Sequence, residues 1–140
     1  MAKIDPALPI ELQTFLDKAK EVGLYVERGD NSLKLKFTSN GVELNFAVFK
    51  TNGTLQNYRI ASFTNRIGHP EIGENYLARL ASLFEGGYVE KHPNRFLWTV
   101  KRGANENVTI PECLAVQDEW LTIIQGTVSE LLEIQAENEN

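Results

Sequence analysis

Residues 33–50 read Leu33-Lys34-Leu35-Lys36-Phe37-Thr38-Ser39-Asn40-Gly41-Val42-Glu43-Leu44-Asn45-Phe46-Ala47-Val48-Phe49-Lys50. Leu33, Leu35 and Phe37 alternate with Lys34, Lys36 and Thr38, the period of a half-buried strand. Asn40-Gly41 is a hairpin signal, because both positions tolerate positive φ. Val42, Leu44, Phe46 and Val48 then fall on one face of a returning strand. An antiparallel meander is the nucleus of the fold.

Outward from it, Leu24-Tyr25-Val26 begins a preceding strand, and residues 28–32 form its turn. Asn52-Gly53 is a second hairpin turn, after which residues 55–63 read as a fourth strand. On the N-terminal side, Leu12, Phe15, Leu16 and Ala19 recur at helical spacing over residues 10–22. Pro9 suits that helix's start and Gly23 its stop. On the C-terminal side, residues 65–73 read as a loop and residues 74–84 as a helix with Tyr76, Leu77, Leu80, Ala81 and Phe84 on its apolar stripe. Phe96, Trp98 and Val100 mark a fifth strand, and residues 103–107 a turn. A final helix spans about 111–135, and residues 136–140 should fray. The expected fold is a single α+β domain over residues 1–140, in the order α-β-β-β-β-α-β-α, with a meander of about five strands backed by two or three helices.

The composition supports a closed core, with 42% apolar residues including seven Phe and two Trp in 140. No apolar run has the length of a membrane span. The first residues, Met1-Ala2-Lys3-Ile4-Asp5-Pro6, are too polar for a secretory signal, so the expected compartment is the cytoplasm. Cys113 is the sole cysteine. It excludes an intrachain disulfide and reads as a small apolar residue. The two His and one Cys lie far apart with no metal-ligand spacing, so neither a metal nor a cofactor is expected.

Charge is the most informative feature. Residues 28–102 hold eleven Lys or Arg against six acids, while residues 103–140 hold eight acids and no cation. Such a split speaks about partners and not about fold.

Three functional readings follow. The leading one is a non-enzymatic binding or assembly module that self-associates as a dimer through the acidic C-terminal helix. Its interface would be the stripe Trp120, Leu121, Ile124, Val128 and Leu131, and a two-fold pair is the commonest symmetric solution. The second is a nucleic-acid or anion site on the basic meander, with Lys34, Lys36, Lys50, Arg59 and Arg66 pairing phosphates and Tyr58 stacking on a base. The third is a nuclease-like or hydrolase domain, active or inactive, with a small site at Arg66, His69 and Glu71 on a connecting loop. Metal-dependent nuclease chemistry needs convergent carboxylates. Glu43 is the only acid in the two central strands, and Lys50 follows it at a distance of seven residues.

Overall fold

The computed structural model describes residues 10–29, 32–39, 41–50, 53–56, 60–91, 98–104 and 106–139. The chain is a mixed α+β fold with antiparallel sheets. Its elements are α1 (Ile10–Val22), β1 (Tyr25–Arg28), β2 (Ser32–Ser39), β3 (Val42–Lys50), β4 (Leu55–Gln56), α2 (Ile60–Arg66), α3 (Pro70–Ala81), β5 (Gly87–Glu90), β6 (Thr99–Arg102), β7 (Glu106–Asn107), α4 (Ile110–Ala115) and α5 (Gln117–Glu139). β1-β2-β3-β4 form one sheet and β5-β6-β7 a second.

The meander forms as its pattern dictates, with one correction. Leu33 pairs with Phe49 and Leu35 with Ala47, but the next step pairs Lys36 with Asn45. Phe46 is thus an extra residue on β3, a β-bulge that shifts the alternation. The core residues of β3 become Leu44, Phe46, Ala47 and Phe49, while Val48 turns to the outer face with Lys34.

Two further expectations are overturned. Among the described residues the fourth strand covers only Leu55–Gln56, and Ile60–Arg66 is a helix. Ile60, Ala61 and Thr64 are buried, and α2 packs against β3 and α3. Burial on neighbouring elements overrides the strand propensity of Ile60 and Phe63. The next helix begins at Pro70, not at residue 74, since proline at a first helical position needs no N–H partner. Gly87–Glu90 adds a strand that pairs with β6. Of the expected fifth strand, residues 92–97 lie outside the described residues; Thr99 and Val100 belong to β6.

The C-terminal helix is two helices. Thr109 caps α4: its hydroxyl accepts the Glu112 backbone N–H, while the Glu112 carboxylate accepts the Thr109 backbone N–H. This reciprocal pair satisfies two helix-end donors. Val116, at φ −119 and ψ 30, breaks the chain before α5, which continues through residues 136–139.

The core is one layer deep between the first sheet and its helices. α5 packs on both α1 and α3, and touches β2. Trp120 of α5 stacks on Phe15 of α1 at 4.4 Å and tilts over Phe49 of β3 at 6.1 Å. Phe46 meets Tyr76 edge-on at 5.1 Å. These five rings are fully buried, each contributing roughly 1.5–3 kcal/mol of transfer free energy. The second sheet lies on α3, with Val100 buried, and is tied to the first through Leu55 N–H to the Val108 carbonyl and Ile110 N–H to the Gly53 carbonyl.

Candidate interaction surface

The register places Lys34, Lys36 and Lys50 on one face of the first sheet, the face turned away from the helices. Their charges are not equally available. Lys36 is only 9% exposed and bonds Glu27 and Glu43, each at 2.9 Å. Burial alone would lower its pKa, but the two carboxylates outweigh burial and raise it above the usual lysine value. Lys36 in turn holds the Glu43 carboxyl below its ordinary range. Glu27 also stands directly across from Lys34 in the β1–β2 register. The basic face is therefore largely compensated from within. Arg59 and Tyr58 lie outside the described residues.

Arg66, His69 and Glu71 are only partly brought together. His69 Nδ1 lies 3.0 Å from Glu71 Oε2 at the start of α3. The carboxyl of Glu71 sits below its usual value, held first by its own backbone N–H at the helix start and then by His69. Arg66 instead lays its guanidinium over the Phe63 ring, 5.3 Å from the centroid. The His–Glu pair is solvent-facing. Among the described residues, no group of three or more His, Cys, Asp or Glu side chains is placed to hold a metal ion. Cys113 is buried, and that burial raises its thiol pKa.

The stripe expected to meet a second copy is buried within this fold. Trp120, Ile124 and Leu131 have no accessible surface, and Leu121 and Val128 are buried as well. All five belong to the chain's core cluster. Their spacing is that of any helix docked on a core, and periodicity cannot tell an intramolecular neighbour from an intermolecular one.

The other side of α5 is the surface sequence periodicity did not single out. Asp118, Glu119, Thr122, Gln125, Gly126, Ser129, Leu132, Glu133 and Glu137 are exposed at three- and four-residue spacing. Leu132 is half exposed, a large apolar side chain on an otherwise polar strip. A Cβ added at Gly126 would meet nothing within 4 Å, so no neighbour inside the fold requires the glycine. Flanking cations lean in from both sides: Lys18 of α1 lies 3.8 Å from Asp118, and Arg79 of α3 lies 3.5 Å from Glu130. Glu119, Glu133 and Glu137 make no ion pair among the described residues.

The two charged faces point in opposite directions, because α5 lies on the inner face of the sheet whose outer face carries the lysines. No described helix is long and apolar enough to cross a membrane. Compared with known proteins, the chain matches no family model, and no curated protein or solved structure shows significant similarity to it.

Proposed function

We propose that the chain is a non-enzymatic protein-binding module that takes a cationic partner on the outer face of α5. The observation that carries this reading is the make-up of that face. It holds acids at both ends, small neutral residues in the middle, a half-exposed leucine at position 132, and no cation on α5 itself. A helix or segment bearing Lys and Arg complements it in charge, and the small residues allow close backbone approach.

A second copy of the chain fits less well. Two α5 faces laid together would set Glu119 and Glu133 against acids at neutral pH, which is destabilising. An α5 face laid on the lysine face of another copy is a head-to-tail contact. It generates rings or filaments and not a closed two-fold dimer.

The test is calorimetric titration with an amphipathic helical peptide having one lysine face and one leucine face. Binding should weaken with salt and fall at least about tenfold in the double variant Glu119→Lys with Glu133→Lys. It should be unchanged in Lys34→Glu with Lys50→Glu. Equal binding by the α5 double variant would remove the reading.

The second reading, nucleic acid on the sheet, keeps one observation in its favour, the common face of Lys34, Lys36 and Lys50. It requires affinity for single-stranded nucleic acid that falls steeply with salt. The two carboxylates on Lys36 limit that face to few phosphate contacts.

A further inference from the structure

Ala115, the last residue of α4, lines two grooves, one of which reaches the start of α5. The first has a volume of about 370 Å³ and lies between α1 and the α4–α5 junction. Its apolar surface comes from Ile10, which is 84% exposed, and Leu114; its acids are Glu11, Asp118 and Glu119. The second, of about 640 Å³, lies between the segment after α3 and the β6–β7 turn. Its apolar surface is Leu83 and Phe84, and its acids are Glu85 and Glu112.

Two cations line these grooves, and both are already engaged. Lys18 pairs with Asp118, and Arg102 pairs with Glu106 and Glu112. Among the described residues, the lining charges that make no ion pair, Glu11, Glu85 and Glu119, are all negative. Each groove is lined by both apolar and acidic side chains. Ala115 carries the smallest side chain that a helix of L-residues can place there, so a chain can pass over it.

We infer that the two grooves form one furrow across Ala115 that takes an extended segment of a partner protein with alternating basic and apolar side chains. Aliphatic residues of the segment cover Ile10 and Leu114 on one side and Leu83 and Phe84 on the other. Its Lys or Arg heads reach Glu11, Glu119 and Glu85 while their stems lie on the apolar floor. This inference rests on the reading of the chain as a binder of cationic partners. It adds a second, extended contact at the end of α5 where Asp118 and Glu119 belong to both surfaces.

The experiment is a fluorescence-anisotropy titration with a labelled acetyl-Val-Lys-Val-Arg-Val-Lys-Val amide, whose β-branched residues favour an extended chain. The control peptide has Glu in place of Lys and Arg. Wild-type protein should bind the basic peptide and not the acidic one. Ala115→Trp, a substitution at an exposed position, should weaken binding at least about tenfold with the thermal midpoint preserved. Glu85→Lys and Glu119→Lys should each weaken it about threefold, as single exposed charges do, and Lys34→Glu, on the outer face of the sheet, should leave it unchanged. Equal binding of both peptides, or undiminished binding by Ala115→Trp, overturns the furrow. So does a dimer of the protein alone that Ala115→Trp dissociates, since the occupant is then a second copy. Loss of this peptide with the helical peptide still bound at α5 removes the furrow and leaves the function reading standing.

Discussion

The Trp120 indole N–H donates a 2.9 Å hydrogen bond to the hydroxyl of Tyr76, with both side chains fully buried. The hydroxyl donates onward to the Phe46 carbonyl, also at 2.9 Å. Phe46 is the bulged residue of β3, so the chain of bonds joins α5 and α3 to the irregular point of the sheet. Burial raises the Tyr76 pKa well above its ordinary value, the Trp120 bond offsetting only part of the shift. The phenol therefore stays neutral and remains both donor and acceptor. Tyr76→Phe leaves a buried N–H and a carbonyl unsatisfied and should cost about 1–3 kcal/mol, read from urea unfolding with an unchanged m-value. Trp120→Ala should cost about 3–5 kcal/mol, which is expected of a core residue and not of an interface residue.

Two glycines should respond in opposite senses to alanine. At Gly73 a Cβ would lie 2.5 Å from the Ala61 Cα and 2.9 Å from its backbone N, where α2 and α3 touch. Backbone atoms cannot yield as a side chain does, so Gly73→Ala should destabilise by about 1–3 kcal/mol. Gly126 is mid-helix in open space, and Gly126→Ala should stabilise by about 1 kcal/mol. Thermal midpoints of the two variants, measured side by side, check the pair. If Gly126→Ala also weakens binding of the lysine-leucine helix, close backbone approach by the partner accounts for the glycine.

Acid sensitivity should depend on Glu112. Burial by itself would raise its carboxyl pKa, but the Thr109 backbone N–H, the Arg102 guanidinium and the Thr109 hydroxyl outweigh it and lower the value. A group lowered on folding stabilises above its unfolded pKa, and the contribution is lost as pH falls through the depressed value. Glu112→Gln should lose about 1 kcal/mol at neutral pH, the size of a helix cap. The loss should shrink below the ordinary glutamate pKa of about 4.3, flattening the acid limb of a stability-against-pH curve. Lys36, raised on folding, has the opposite sign: its contribution is intact at neutral pH and is lost only as pH rises through its folded value.

Cys113 should resist modification in the native state, because it is buried and the thiol is held protonated. Reaction with a disulfide reagent at neutral pH should run at the rate of opening and accelerate in urea. Prompt labelling of the folded protein would place Cys113 at an accessible surface and contradict the packing of α4.

Much of this fold is legible in the sequence where local pattern and burial agree. The alternation of residues 33–37, Gly41 at positive φ between β2 and β3, and the stripe of α1 all specify what forms. The bulge at Phe46 is not legible, because a run of apolar residues supports either register until the core selects one. The strand expected over residues 55–63 fails for the same reason at larger scale, since Ile60 and Ala61 are helical only because β3 and α3 cover them. Two signals were present and specific: Thr109-Ile110-Pro111-Glu112 is a capping box, and Pro70 with Glu71 is a helix start. The site was least legible. The inner stripe of α5 dominates its periodicity, while the outer face is defined by what does not touch it, which only three dimensions show.

The most direct measurement is a backbone amide shift map of the labelled protein titrated with the lysine-leucine helical peptide. Saturable shifts are expected at residues 118, 119, 122, 125, 126, 129, 132 and 133, with β2 and β3 unmoved. Shifts confined to Lys34, Lys50 and their strand neighbours, or no shifts on the outer face of α5, would contradict it.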